Sequence, residues 1–311
     1  MSRLKILSFL LAVSILLTGC GGPPSLPSSL GSSDSSSKSA DFTPYQAPPM
    51  ATAEYHADLA EGNDRAHIDL SAVSEGYVAV SATSDSRLKF QVVKGEDTYT
   101  YNLASDGTPS IFPLQCGDGN YRFRIMENVS ESKYSELYST ECSVTLSDGF
   151  QPFLRPSDFV SYTADSQCVR KAAELASKAA DPLGVIGEVY SYVCKSVRYD
   201  TDKAETVQSG YLPDPDDTMR TGRGICFDYA ALAAAMLRSQ GIPTKLVFGY
   251  VSPDNLYHAW NMFYTEQTGW VAVKFEIRDS GWNRLDLTFS ANGENASFIG
   301  DGSNYSDVYY Y

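Results

Sequence analysis

The feature that most limits how this chain can fold is a change of period along it. From about Glu54 to Leu146 apolar and polar residues alternate in short runs, "YVAVSAT", "LKFQVVK", "TYTYNL" and "YRFRIME", separated by the turn-prone "SEG", "KGED", "SDGTP" and "CGDGN". Period two is the spacing of a strand that buries one face. With no helical run between them, such strands have only another sheet to bury that face against.

Residues 51–148 therefore read as an all-β sandwich, of immunoglobulin-like architecture. Gly149, Pro152 and Pro156 interrupt "SDGFQPFLRPSDFV" and mark a boundary, after which the period becomes helical. "DSQCVRKAAELASKAA" starts at a capping Asp165, and "DPLGVIGEVYSYVCKSV" carries Asp181 as cap and Pro182 at the first helical position. A Pro-, Asp- and Gly-rich loop from Arg198 to Gly224 leads to a third helix from Cys226 to about Gln240, stopped by Gly241 and Pro243. "TKLVFGYV", "YHAWNMFY", "GWVAVKFEI" and "NRLDLTF" then read as strands, so residues 149–311 are helices followed by an antiparallel sheet, an α+β layout. The tyrosine-rich tail takes no assignment.

The N-terminus is of another kind. Arg3 and Lys5 precede the apolar run Ile6 to Leu17, which meets Thr18, Gly19 and Cys20; the run is too short to span a bilayer. "LLTGC" resembles the lipobox of bacterial lipoproteins, which implies a signal peptide over residues 1–19 and a lipid on Cys20. Residues 20–50 are Ser, Pro and Gly with almost no large apolar side chain, a composition that forms a tether rather than a core. The expected location is extracytoplasmic, lipid-anchored to the outer face of the cell membrane.

The net charge of -14, with no cluster of Lys and Arg, argues against a nucleic-acid partner and against adsorption to an anionic membrane, leaving the lipid as the membrane contact. His56 and His67 stand alone, with no second ligand at metal spacing, and read as surface histidines; no metal or organic cofactor is expected. Export permits disulfides. Setting Cys20 and Cys226 aside, the economical pairing is Cys116 with Cys142 and Cys168 with Cys194; the alternative is four buried thiols serving as small apolar side chains.

Chemistry concentrates in "GRGICFDYAA". Gly222 and Gly224 allow a tight turn, and Cys226 begins a helix whose first amides and dipole favour an anion, which would lower a thiol pKa. His258, the only histidine after the boundary, lies on a strand and has the pKa of a general base for that thiol. Asp286 in "WNRLDLTF" lies on a later strand and could orient the imidazole, with Glu276 and Asp279 as the other acids in reach of the same role. The Cys226 amide would supply one oxyanion donor, with Tyr199, Trp260 and Asn261 as candidates for a second. Asp228 reads as serving the helix dipole.

"GRGICFDYAALAAAMLRSQGIPTKLVFGYV", "YHAWNMFY" and "WNRLDLTF", taken in order, resemble the transglutaminase-like superfamily over roughly Leu183 to Phe289. The resemblance implies a papain/transglutaminase-like catalytic domain with Cys226 as nucleophile, His258 as general base and Asp286 as orienting carboxylate. It implies a surface-anchored cysteine peptidase or amide hydrolase working through a thioacyl intermediate, with an extracellular or cell-wall-associated protein or peptide as substrate. A crosslinking transglutaminase and a non-catalytic binding or scaffold protein are the alternatives. In many relatives the acid follows the histidine at about half this separation, where Val273 and Lys274 stand here. An inserted hairpin over "GWVAVKFEIRDSGW" would restore Asp286 to the site.

Overall fold

The computed structural model describes residues 42–251, 256–277, 283–286 and 305–311. The signal segment, Cys20 and Asp279 lie outside the described residues, and residues 42–311 form one compact unit. Among the described residues no helix is long and apolar enough to cross a membrane.

The alternating region forms two antiparallel sheets. β1 (Glu61–Gly62), β2 (Ala66–Asp69), β3 (Tyr77–Ala82) and β6 (Ser110–Pro113) make one, and β5 (Asp97–Leu103), β4 (Leu88–Lys94), β7 (Gly119–Ser130) and β8 (Lys133–Val144) make the other, each in that spatial order. Alternation puts Ile68, Val80 and Phe112 of the first sheet and Phe90, Phe123 and Ile125 of the second into one fully buried cluster. Phe90 and Phe112 stack across the two layers at 4.7 Å between ring centroids. β8 escapes the sequence pattern because it is an edge strand whose residues are largely exposed, Val144 alone being fully buried. The other edge at β6 is sealed by the chain beyond the sandwich: Asp158 N donates to Ile111 O at 3.1 Å, and Ile111 N donates to Asp158 Oδ1 at 2.9 Å.

The helical region holds α1 (Gln167–Ala176), α2 (Pro182–Ser196), the two-residue β9 (Arg198–Tyr199), α3 (Thr201–Thr206), α4 (Pro215–Thr221), β10 (Arg223–Gly224) and α5 (Cys226–Ser239). Asp181 caps α2 as expected, accepting from Gly184 N at 2.8 Å. α1 departs from expectation. It starts at Gln167 rather than at Asp165, because its first amides, Gln167 N and Cys168 N, donate to the carboxylate of Asp216 on α4, each at 2.8 Å. The stretch read as a loop from Arg198 to Gly224 carries α3 and α4, capped by Asp200 and Asp214, and a parallel pairing of β9 with β10. These elements are too short for periodicity to reveal; only their caps mark them.

α5 is buried on every side, Ala230 to Leu237 having no exposure at all. That explains its run of alanines, since a helix surrounded by helices and a sheet has no polar face to keep. Beneath it lies a five-stranded sheet in the order β14 (Asn283–Asp286), β13 (Gly269–Ile277), β12 (Leu256–Thr265), β11 (Thr244–Val251) and β15 (Tyr305–Tyr310). The tyrosine-rich tail thus supplies the strand beside β11. At the far end of α5 the buried Arg238 donates to Thr244 O (2.9 Å), Arg155 O (2.8 Å) and Tyr311 O (2.9 Å), tying helix, boundary segment and tail together. Burial pulls its pKa down to about 10.

Neither expected disulfide forms, and the five described cysteines are free thiols. Each sulfur has its own surroundings. Cys168 bonds to the Asp216 carboxylate and Cys116 to Tyr99, while Cys142 on β8 and Cys194 on α2 pack as partly buried apolar residues against the main core. Burial raises all four thiols, Cys194 to about 11.

Candidate active site

The turn into α5 is fixed before the helix begins. Gly222 takes φ +62°, closing α4, and its carbonyl accepts from Arg198 N at 2.9 Å; the Gly224 carbonyl accepts from Asp200 N, also at 2.9 Å. A Cβ on Gly224 would meet the Asp228 Cβ at 2.6 Å, so glycine is required there by contact with a side chain one turn ahead.

Asp228 does more than serve a dipole. With no exposure, it accepts from Ile225 N at 2.7 Å, from the Tyr211 hydroxyl, and from Lys203 Nζ at 2.7 Å. Lys203 also donates to the Tyr211 oxygen at 2.6 Å and lies 4.3 Å from the centre of its ring. This buried clamp fastens α3 and the loop after it to the first turn of α5. Only Asp228 carries a local signal, at the third helical position where a carboxylate closes back on the cap amide; Lys203 and Tyr211 carry none.

Cys226 heads the helix, partly exposed as a residue while its sulfur is crowded. Burial pushes the thiol pKa up, against the backbone amides of Ala259, Phe227 and Cys226 itself, which donate toward the sulfur and pull it down; the Asp228 charge adds to the rise. The expectation of a lowered thiol pKa is therefore corrected: removing the sulfur from water outweighs the helix start. A thiol in this setting needs a base to become a nucleophile.

The Ala259 amide belongs to the peptide that joins it to His258, so β12 presents that peptide directly to the sulfur. His258 is 7% exposed and pairs across to Gly249 on β11. α5 lying against β12 thus brings the Cys226 sulfur to the backbone peptide between His258 and Ala259.

Asp286 is the last residue of β14. It is not on the strand next to β12: β13 intervenes, and Asp286 pairs with Lys274. β13 changes partner at this point, pairing with β12 from Gly269 to Val273 and with β14 from Lys274 to Ile277. β13 and β14 pair antiparallel, with the Asp286 backbone opposite Lys274. Glu276 faces Arg284 on the same hairpin.

The three candidates for a second oxyanion donor separate cleanly. Asn261 is committed elsewhere: it donates to Ala230 O at 3.0 Å and Lys245 O at 3.4 Å and accepts from the Tyr190 hydroxyl at 3.2 Å, locking β12 to α5, β11 and α2. Trp260 is buried with Val247 and Ala272 in a separate cluster. Tyr199, half-buried, faces Gly224 across β9 and β10, and its phenol is raised by burial and by the nearby Cys226. Phe227 packs edge-on to Phe248 (4.9 Å) and Phe159 (5.5 Å), fixing the residue next to Cys226. A cleft of about 660 Å³, lined by Asn102, Ser110, Asp158, Tyr162 and Asp214 among others, includes neither Cys226 nor His258.

Comparison with known proteins agrees with this geometry. Residues 169–275 match the family model described as the transglutaminase-like superfamily, a segment that holds Cys226 and His258 and ends before Asp286. Uncharacterized protein ML0607 of Mycobacterium leprae is 25% identical over 192 residues, 58% of this chain and 60% of that protein. UPF0252 protein MJ1282 of Methanocaldococcus jannaschii is 28% identical over 104 residues, 32% of this chain and 28% of that protein. The chain thus spans less than two thirds of either relative. A solved structure of a candidate cysteine protease from Cytophaga hutchinsonii superposes with a TM-score of 0.37 at 16% identity, covering 81% of this chain and 80% of that one. Residues 169–275, about a third of the chain, are thus a transglutaminase-like domain by their match to that family model.

Proposed function

We propose that the chain is a thiol enzyme that hydrolyses amide bonds of protein or peptide substrates outside the cytoplasm, held at the membrane by a lipid on Cys20. The observation that carries this reading is the setting of the Cys226 sulfur: a helix start and three backbone N–H groups directed at it, one of them the amide of the His258–Ala259 peptide.

In the proposed reaction His258 accepts the Cys226 proton as the sulfur attacks the amide carbon. The carbonyl oxygen takes the negative charge, stabilised by the Cys226 amide and by Tyr199 as the remaining second donor. The carbon–nitrogen bond then breaks, the imidazolium returns its proton to the leaving amine, and a thioester to Cys226 remains. Water, deprotonated by His258, attacks that thioester; the acid leaves and the thiol is restored. An amine in place of water would make the same site a transferase. Hydrolysis is favoured because water is the abundant acceptor outside the cytoplasm and no feature of the chain marks a site for a lysine donor. In this reading Asp286 orients His258 from the β13–β14 hairpin.

The test is alkylation of Cys226 by iodoacetamide as a function of pH, followed by peptide mapping to separate it from the other thiols. The native protein should show a reactive limb in the range of an imidazole, about pH 6–7, which His258→Ala removes, leaving only a limb above the ordinary thiol value. A single limb in both proteins would overturn the enzymatic reading and leave a binding protein. Peptide libraries with and without amine donors, run beside Cys226→Ala, then separate hydrolysis from transfer.

A further inference from the structure

The sheet face that packs under α5 does not stop where the helix does. Leu246, Ala259 and Phe263 of that face are buried beneath the helix, and register puts Phe248 opposite both Ala259 and Tyr309, and Tyr250 opposite Tyr257. Neighbours across strands share a face, so Phe248, Tyr250, Tyr257 and Tyr309 continue it past Cys226. Exposure rises abruptly there, from 0% at Leu246 and 2% at Ala259 to 39% at Tyr250, 50% at Tyr257 and 38% at Tyr309.

These rings are organised. Tyr257 stacks on Phe248 at 5.9 Å with 13° between planes and meets Tyr250 edge-on at 5.3 Å, and Phe248 itself packs against Phe227, the residue after the nucleophile. The result is an aromatic shelf lying directly before the helix start. Tyr257 stands two residues along β12 from Ala259, whose amide is directed at the sulfur, and its phenol is pushed up by burial and then by Tyr309, Tyr250 and Cys226. Three linked aromatic rings, with Tyr309 on the neighbouring strand packed against Tyr99 and Tyr311, are costly to leave in water and offer broad apolar faces for another side chain to cover.

Building on the proposed amide chemistry at Cys226, we infer that this shelf is the specificity subsite of the enzyme, taking a large apolar or aromatic side chain that flanks the amide under attack. Tyr257 and Tyr250 form its floor, and Phe248 holds Tyr257 in place. The occupant is a peptide, because the sulfur beside the shelf attacks acyl carbon, and the residue next to that carbon is the one the shelf can reach. Small or acidic flanking residues leave the rings uncovered and gain nothing from them.

The experiment is a peptide library varied at the positions flanking the amide, assayed by kcat/KM with the native protein, Tyr257→Ala, Tyr250→Ala and Tyr257→Phe. Phe, Tyr or Leu at one flanking position should exceed Gly or Asp by about tenfold or more, the scale that apolar pocket contacts reach. Tyr257→Ala should reduce that preference to about threefold or less, and Tyr257→Phe should restore it. A flat or acidic profile in the native protein, or a preference untouched by both alanine variants, would overturn the subsite. The same library is also read as binding to Cys226→Ala with and without Tyr257→Ala. Selective capture of apolar peptides that Tyr257→Ala abolishes would sustain the shelf even if no peptide were cut; no selective capture together with no cleavage would overturn it. Iodoacetamide labelling of Cys226 in each variant tells failure of the nucleophile from failure of the shelf.

Discussion

Replacing Lys203 with Met tests whether the clamp beneath the first turn of α5 governs the nucleophile. The perturbation removes a cation 2.7 Å from a carboxylate that has no exposure, while leaving the donations from Ile225 N and the Tyr211 hydroxyl in place. Breaking a fully buried pair on one side costs about 3–5 kcal/mol. Lys203 is itself 28% exposed and two donors remain, so we expect the lower part of that scale, about 2–3 kcal/mol. The loss should also reach Cys226. The Asp228 charge already pushes its thiol up, and without Lys203 beside it that push should grow by on the order of one pK unit, about 1.4 kcal/mol. Denaturant unfolding reads the first effect, and the pH dependence of Cys226 alkylation reads the second, as a shift of the thiol limb to higher pH and about tenfold slower labelling near neutrality. Lys203→Arg should recover most of both. A stability loss under about 0.5 kcal/mol, the range of ordinary surface substitutions, together with an unmoved alkylation profile, would refute the clamp.

Three further outcomes follow from the same geometry. Gly224→Ala drives a Cβ to 2.6 Å from that of Asp228; it should cost about 1–3 kcal/mol and slow Cys226 labelling, checked by thermal unfolding and alkylation together. Asn261→Leu strips three hydrogen bonds linking β12 to α5, β11 and α2; a loss of about 2–3 kcal/mol is expected, measured by denaturant titration, and a neutral effect would return Asn261 to the list of oxyanion donors. Asp216 is raised by burial but more strongly lowered by the Cys168 and Gln167 amides, so its folded pKa lies below the unfolded value. Its contribution is therefore present above about pH 4 and lost as pH falls through the folded pKa. Asp216→Asn should cost about 1 kcal/mol at neutral pH and flatten the decline of stability below pH 4, and an unchanged acid limb would count against the cap.

Much of the site could be seen in the chain before any coordinates. Cys226 after paired glycines at a helix start and His258 on a strand are local patterns, and the structure brings their backbones together through the Ala259 amide. What fell short were statements about distance through space. The thiol pKa went the other way because burial depends on what packs over the sulfur, not on its position in a helix. The disulfides failed because economy of spacing says nothing of where each sulfur points. Strand order is likewise set in space: β13 stands between β12 and the strand that carries Asp286.

By itself, the sequence determined which segments alternate and which repeat at helical spacing, where α2 is capped, and which residue types meet at the start of α5, because these depend on neighbours along the chain. Only the tertiary structure decided that α1 takes its cap from Asp216 and that Lys203 and Tyr211 clamp Asp228. The same holds for the tail that supplies β15 and for the aromatic face that continues past Cys226 into solvent. Each of those features joins residues far apart in sequence, and the interaction exists only once burial has brought the partners together and removed the water between them.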